Sequence, residues 1–142
     1  MANSIAIGVA YTDQNIKDAD YVIATAVYAK GQLGYTNGAF STSTQTGSKA
    51  SGVTINTSAG QITMSNAQLA PSASVAFTVT CSAVSQYDTI IVSIASGGTL
   101  YAYLIGVVAV ANGSFALNLK NVSNNAYSEA LVINYAILHV AP

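Results

Sequence analysis

One histidine and one cysteine limit the chemistry that this chain of 142 residues could perform. His139 could serve a Ser–His–Asp or Cys–His site only if Cys81 or a serine lay near it in space, with Asp88 or another acid behind. The sequence has no Gly-x-Ser-x-Gly motif to support such a site. Zinc requires three or four Cys, His or acidic ligands, and one His with one Cys does not supply them. The sequence therefore predicts no metal site and no cofactor, and it favours a protein that is not an enzyme over a further hypothesis, a small hydrolase that uses His139.

The acidic residues suggest no stronger site. Residues 13–20 are distantly similar to a calcium loop, but they lack the glycine at the sixth position and have Lys17 where a ligand should stand. We interpret this segment as a solvated turn. Asp88 and Glu129 each lie at the start of a predicted strand, and nothing in the sequence pairs them for general acid–base catalysis.

Strands with alternating apolar side chains form the frame that would position these residues. Val75, Phe77 and Val79 share one face of a predicted strand together with Cys81, which we interpret as a small buried hydrophobe. The same period-2 pattern recurs between turn signals and predicts strands at about 53–57, 60–64, 74–81, 88–95, 100–111, 114–121 and 130–140. Short strands at this spacing predict an all-β fold, an antiparallel β-sandwich or jelly-roll-like domain.

Two connections can be predicted from the turn residues. Asn112-Gly113 lies between two alternating runs and predicts an antiparallel hairpin with a type I′ turn, in which both central residues have positive φ. The stretch 57–64 is so short that we expect it to form a tight hairpin with 53–57.

The first third of the chain differs from the rest and predicts a separate segment. We expect residues 1–46 to form an extended N-terminal arm and linker, and residues 47–142 to form the sandwich; the alternative is an extra strand pair of the same domain. The polar run at 41–48 is either a linker or an extended strand edge. The arm carries the candidate residues for binding a partner or a neighbouring subunit: Ile5, Ile7, Val9, Tyr11, Tyr21, Tyr28, Leu33 and Tyr35.

Several predicted strands are apolar on both faces. The runs at 89–94, 104–110 and 131–140 would each bury one face in the core and leave a second apolar face, which a domain of this size has little chain left to cover. We therefore expect a homo-oligomer. The candidate residues of the interface between copies are Val108, Val110, Val132, Leu138 and Val140.

The composition excludes some partners and favours an assembly. Only 6% of the residues are charged, and the four basic ones are scattered lysines, so the chain has no basic patch for nucleic acid or an anionic membrane. Nine tyrosines and a net charge of −1 favour association. The longest apolar stretch, 100–111, is shorter than a membrane span of about 20 residues, and we expect no secretory signal. The Asn-x-Ser/Thr sequons at Asn56, Asn112 and Asn121 are then chance matches.

Motifs along the chain from residue 46 onward carry a family resemblance. They stand at 48–56 (SKASGVTIN), 60–64 (GQITM), 75–79 (VAFTV), 113–115 (GSF), 120–123 (KNVS) and 128–137 (SEALVINYAI), and 27–35 (VYAKGQLGY) belongs with them. In these motifs the chain resembles a family of small decoration or cement proteins of tailed bacteriophages. It departs from the family pattern at Lys120, where arginine is usual, and at Tyr127, where leucine is more typical.

The resemblance implies a structural protein of the virion. Such a protein is made in the host cytoplasm, binds the major capsid protein on the outer shell as a trimer and stabilises the shell. A second hypothesis is a tail-fibre or receptor-binding tip that recognises a host surface glycan, since Tyr-rich and Asn-rich loops suit carbohydrate contacts. A fibre tip would follow a long repetitive shaft, whereas here a short arm precedes the sandwich.

Overall fold

The computed structural model of the protein describes residues 29–140. In that part of the chain, a short 3-10 turn at Asn37–Ala39 precedes eight strands. They are β1 (Phe40–Thr44), β2 (Val53–Thr54), β3 (Ala59–Thr63), β4 (Ser74–Thr80), β5 (Thr89–Ser96), β6 (Tyr103–Ala111), β7 (Ser114–Asn121) and β8 (Val132–Leu138). The chain divides into two units between Leu33 and Gly34, and all of these strands lie after the division.

Two four-stranded sheets form a β-sandwich. Sheet A has the strand order β1-β3-β8-β5, and sheet B has the order β2-β4-β7-β6. The central pairs are antiparallel. The edge strands β1 and β2 instead run parallel to β3 and β4. The predicted all-β sandwich is confirmed, with two parallel edge pairs that the sequence did not predict.

Alternate side chains of both sheets fill the space between them. Phe115 and Leu117 on β7 and Ile133 on β8 are at most 1% exposed. The rings of Phe115 and Tyr135 lie 5.3 Å apart at their centres, which joins the two sheets. Full burial of a side chain of this size stabilises the fold by roughly 1.5–3 kcal/mol. Cys81 is 0% exposed, as expected for a residue on the apolar face of its strand.

The hairpin between β6 and β7 is confirmed, but its turn differs from the prediction. Ala111 pairs with Ser114 across Asn112 and Gly113. Gly113 has φ +79°, whereas Asn112 does not have positive φ, so the type I′ assignment was wrong. The Asn112 side chain instead accepts a hydrogen bond of 2.9 Å from the Gln86 N–H and ties the turn to the β4–β5 connection.

Two further assignments differ from the sequence analysis. Residues 40–44, which were placed in the arm and linker, pair with β3 as the edge strand of sheet A. The sheet therefore begins before residue 47, and of the two alternatives for 41–48 the strand edge is the one observed. The expected tight hairpin of 53–57 with 60–64 does not form, because β2 lies in sheet B and β3 in sheet A. Ile55 still donates its N–H to the Thr80 carbonyl at 2.9 Å, and the chain then crosses between the sheets.

Candidate functional site

Three neighbouring strands of sheet A end in one cluster of polar side chains. Ser58 immediately precedes β3, His139 immediately follows β8, and Asp88 immediately precedes β5. Strand β8 lies between β3 and β5, and it is antiparallel to both. The register of the sheet therefore brings together residues that are far apart in the sequence, since Ser58 and His139 are 81 positions apart.

The three side chains form a continuous chain of hydrogen bonds. His139 Nε2 lies 3.0 Å from Ser58 Oγ. The other ring nitrogen, Nδ1, lies 3.0 Å from Asp88 Oδ2. The Asp88 side chain is 1% exposed, whereas that of His139 is 43% exposed. A buried acid, a histidine and an accessible serine are thus arranged in this order.

Backbone hydrogen bonds fix the ionisation of Asp88. Its carboxylate accepts the N–H of Ser85 at 2.8 Å and that of Val140 at 3.0 Å, in addition to His139. These donors, Ser85 first and then Val140, lower the pKa of Asp88 below its usual value. Because an ionised carboxylate can only accept, the hydrogen of the neutral imidazole lies on Nδ1. Nε2 is then an acceptor for the Ser58 hydroxyl.

The cluster meets the spatial condition that the sequence analysis set for nucleophilic chemistry, with a serine rather than with Cys81. The Cys81 thiol instead donates to the Thr57 carbonyl at 3.5 Å and is buried in the core. Ser58 was not predicted as a site residue from the sequence. No catalytic motif marks it, and only the pairing of β3 with β8 places it beside His139.

Tyr35 borders the cluster beside His139. Its hydroxyl donates to the Ile137 carbonyl, and its ring lies 6.4 Å from the His139 ring in an edge-on orientation. Tyr35 remains 45% exposed, and Leu33 is 85% exposed. These are the two candidate arm residues that the structure describes. The others lie outside the described residues: Ile5, Ile7, Val9, Tyr11, Tyr21 and Tyr28.

The outer face of sheet A carries an apolar row that crosses all four strands. Cross-strand pairing aligns Phe40 with Ala59, Ala59 with Ala136, and Ala136 with Ile91. Leu138 follows Ala136 on the same face of β8. Phe40 is 49%, Ile91 58% and Leu138 60% exposed. The outer apolar patch is the name used below for this set of residues: Phe40, Ala59, Ile91, Ala136 and Leu138.

The next row of the same face is polar. It consists of Thr42, Gln61, Asn134 and Ser93, which are aligned by the same strand pairs. Gln61 Nε2 donates to Asn134 Oδ1 at 2.9 Å within this row. The apolar character is therefore confined to one end of sheet A, near the Ser58–His139–Asp88 cluster.

The five residues predicted to form a trimer interface do not share one surface. Val108 is exposed at a β-bulge of sheet B, whereas Val110 packs partly against the core. Val132 and Leu138 lie at opposite ends of β8 in sheet A, and Val140 follows that strand. The physical reason is that β6 and β8 belong to different sheets. Leu138 is the member of this set that joins the outer apolar patch.

At the other end of sheet A, the connection from β5 to β6 exposes two large apolar side chains. Leu100 is 77% and Tyr101 is 89% exposed. Tyr101 has φ +61°, which is uncommon for a residue with a side chain. Glu129 holds the connection by accepting from Thr99 N–H at 3.0 Å, Thr99 Oγ1 at 2.7 Å and the Tyr103 hydroxyl at 2.8 Å. The sequence had placed Leu100 and Tyr101 in a strand that in fact begins at Tyr103.

A cavity of about 250 Å³ lies beside these exposed residues. Its lining includes Ser96, Gly98 and Thr99 together with the two tyrosines, and it contains no charged side chain. Gly97 has φ +81°, and a Cβ at this position would clash with the Ala130 carbonyl oxygen. The connection is thus held in a fixed shape that leaves Leu100 and Tyr101 in solvent.

Two buried polar residues fix loops of the sandwich. Lys49 is 3% exposed, and its Nζ donates to the carbonyls of Ser65 at 2.6 Å and Glu129 at 2.5 Å. Burial lowers the pKa of Lys49, although the Glu129 carboxylate opposes this shift. Both hydrogen bonds end on backbone carbonyls, so we assign Lys49 a structural role.

Asn121 is the most completely buried polar residue between positions 29 and 140, at 0% exposure. Its Nδ2 lies within hydrogen-bond distance of the carbonyls of Leu69, Ala70 and Asn125 at 3.2, 3.0 and 2.7 Å. Its Oδ1 accepts from both the N–H and the hydroxyl of Ser123. The amide nitrogen that glycosylation would use at this sequon is therefore enclosed in the fold.

The described residues contain neither a metal-binding cluster nor a membrane-spanning helix. Among residues 29–140, no three His, Cys, Asp or Glu side chains are grouped so that they could hold a metal ion. The described segment also contains no helix that is long and apolar enough to cross a membrane. Comparisons of the chain with protein-family models, with curated proteins and with solved structures find no match. A functional proposal therefore rests on the surfaces described above and on the sequence resemblance.

Proposed function

We propose that this protein is a structural component of a bacteriophage virion, a decoration or cement protein that binds the outer capsid shell as a trimer and stabilises it. The observation that carries the proposal is the outer apolar patch. Phe40, Ile91 and Leu138 are each about half exposed on one regular sheet face, 49%, 58% and 60% respectively. A contiguous apolar surface of this kind is typical of a protein–protein contact.

Association would be favourable because it would remove the exposed apolar area of the outer apolar patch from water. Complete burial of an Ile, Leu or Phe side chain is worth roughly 1.5–3 kcal/mol, and about half of that remains available at each of these positions. The alanines between them add a flat surface on which another chain can pack closely. We propose that a second copy of this chain covers the patch within the trimer.

The low charge of the chain is consistent with this role. With 6% charged residues and a net charge of −1, copies of the protein repel one another weakly. A protein that binds only the assembled shell stabilises that shell by mass action. Three copies of an arm on one trimer would raise the avidity for neighbouring capsid subunits, because the second and third contacts form at high effective concentration.

The proposal can be tested with shells that lack this protein. Purified full-length chain is mixed with such capsids, and the amount that sediments with them is measured together with the temperature at which the shells open. We expect saturable binding and a higher opening temperature. Failure to bind, or binding without any gain in shell stability, would contradict the proposal.

A second candidate function is favoured by the β5–β6 connection. Leu100 and Tyr101 are exposed on a loop that Glu129 holds in place, next to an uncharged cavity of about 250 Å³. Aromatic rings beside neutral polar groups suit a host glycan, as at a receptor-binding tip. Binding to a glycan array that is lost in Tyr101→Ala, with shell binding unaffected, would support this alternative for the loop.

A further inference from the structure

The polar cluster at the end of sheet A has no part in the proposed structural role. We propose that Ser58 and His139, with Asp88 as the positioning residue, form a site that hydrolyses small carboxylic esters through an acyl-serine intermediate. The inference reverses the sequence-based expectation that the chain is not an enzyme. Its test is separate from that of capsid binding: Ser58 and His139 adjoin Ala59 and Leu138 of the outer apolar patch, but ester hydrolysis and sedimentation with shells are different measurements.

The order and spacing of the side chains carry the proposal. Ser58 Oγ and His139 Nε2 are 3.0 Å apart, and His139 Nδ1 and Asp88 Oδ2 are also 3.0 Å apart. A nucleophile within hydrogen-bond reach of a base, with the base held by a third group, is the arrangement by which enzymes activate serine. Both catalytic contacts are thus in place before any substrate binds.

The surroundings of Asp88 suit the role of a positioning residue. Its side chain is 1% exposed and accepts two backbone N–H groups besides His139. It remains an anion that fixes the Nδ1–H tautomer of the ring and stabilises the imidazolium when Nε2 takes a proton. The backbone N–H of Ser85, which precedes β5, and that of Val140, which follows β8, hold the carboxylate in place.

The site is also accessible to a substrate. The His139 side chain is 43% exposed, and Ser58 is partly exposed. Tyr35 and Val140, each 45% exposed, provide apolar surface beside the imidazole. An open site of this kind fits a small acyl group on an alcohol rather than a long chain that requires a tunnel. The cavity near Tyr101 lies at the other end of the same strands and is a separate feature.

The reaction follows from these positions. Ser58 Oγ attacks the ester carbonyl carbon while its proton passes to His139 Nε2, which gives a tetrahedral intermediate. Collapse of the intermediate breaks the bond to the alcohol oxygen, and the alcohol leaves with the proton from Nε2. Water then attacks the acyl-serine, Nε2 accepts one proton of that water, and the carboxylic acid leaves as Ser58 recovers the proton. No oxidant, reductant or metal is consumed.

The test uses the full-length chain, 4-nitrophenyl acetate as substrate and a fluorophosphonate as the covalent probe. We expect stoichiometric labelling that peptide mapping assigns to Ser58, and release of 4-nitrophenol that follows the same site. Ser58→Ala should abolish labelling at this position. His139→Ala should lower two rates, that of labelling and that of 4-nitrophenol release, by about 100-fold or more, the range for loss of a general base.

Two further variants separate catalysis from folding. Ser93→Ala removes another exposed serine of sheet A that is not placed in the site, and it should leave both rates unchanged. Asp88→Asn should lower kcat with little change in KM, because it alters the tautomer and not the surface that binds the ester. Circular dichroism and thermal unfolding of each variant show whether the fold is retained.

The outcomes decide the proposal without depending on any single variant. Labelling of the unsubstituted chain at residues other than Ser58 would overturn it. So would labelling of Ser58 that is no stronger than the labelling of Ser93, the exposed serine outside the site. Equal turnover by Ser58→Ala and the unsubstituted chain would also overturn it. In that case the cluster only fastens the ends of β3, β5 and β8. Either result leaves the capsid proposal unchanged, since sedimentation with shells measures that proposal separately.

Discussion

Replacing Ile91 and Leu138 together by lysine is the most informative perturbation of the outer apolar patch. The two side chains are 58% and 60% exposed, so the monomer does not depend on their full burial. Their remaining exposed surface is worth roughly 1–2 kcal/mol for each side chain if a second copy covers it. The double substitution should therefore cost about 2–4 kcal/mol of association free energy per contact, which is about 30-fold to 1,000-fold in the dissociation constant.

Sedimentation velocity over a concentration series measures this effect directly. We expect the unsubstituted chain to sediment as a trimer at low micromolar concentration, and Ile91→Lys/Leu138→Lys to sediment as a monomer under the same conditions. Burying two added lysine charges against a second copy would cost desolvation in addition to the loss of apolar burial. The thermal unfolding of the separated monomer should change little, because both positions face outward.

Ser93→Lys is the matched control for this experiment. Ser93 lies on the same strand and the same face as Ile91, in the polar row. It introduces a lysine on this face, one positive charge against the two of the double variant, without removing apolar surface, so we expect the control to remain a trimer. A double variant that still assembles, or a control that dissociates equally, would refute the assignment of the outer apolar patch to self-association.

Three further predictions concern the stability of the fold. Gly97→Ala should destabilise the protein in urea unfolding by roughly 1–3 kcal/mol, because φ is +81° and the new Cβ meets the Ala130 carbonyl; Gly106→Ala, with open space around it, is the control, and equal effects would contradict this reason. Asn121→Ala should cost roughly 3 kcal/mol or more in the same assay, since it leaves buried carbonyls without a donor, and a loss under about 1 kcal/mol would show that water replaces the amide. The stability contributed by Asp88 is fully present above its unfolded pKa near 4 and is lost as the pH falls through the lower folded pKa. Asp88→Asn should therefore flatten the loss of stability below about pH 4 in thermal melts, and an unchanged acid limb would contradict the shift.

The strands could be predicted because their signal is local. Alternation of apolar and polar side chains identifies β4 and β7 wherever they lie in the fold, since a half-buried strand repeats every two residues. The Asn112-Gly113 hairpin is local for the same reason. The position of β1 was less clear, because Phe40–Thr44 contains a single large apolar residue and otherwise Ser and Thr. Its place is set by pairing with β3, which local pattern does not specify.

The candidate site depended on information that a single sequence does not contain. His139 and Asp88 were considered together, but their contact requires β8 to pair with β5 in one particular register. Ser58 requires in addition that β3 joins sheet A and not a hairpin with β2. Because the connection between β2 and β3 was predicted to be a tight hairpin, Ser58 was not predicted to lie beside His139. The exposure of Leu100 and Tyr101 was also not predicted, because they belong to an apolar run that continues without interruption into β6.

The copy number of this chain in purified virions is a direct test of whether it decorates the capsid shell. Quantitative mass spectrometry against the major capsid protein gives the ratio without any variant or reconstitution. We expect many copies per virion, in a ratio to the coat protein that fits trimers spread over the shell. A handful of copies per particle would contradict shell decoration and would favour a tail or fibre component that uses the Leu100–Tyr101 loop.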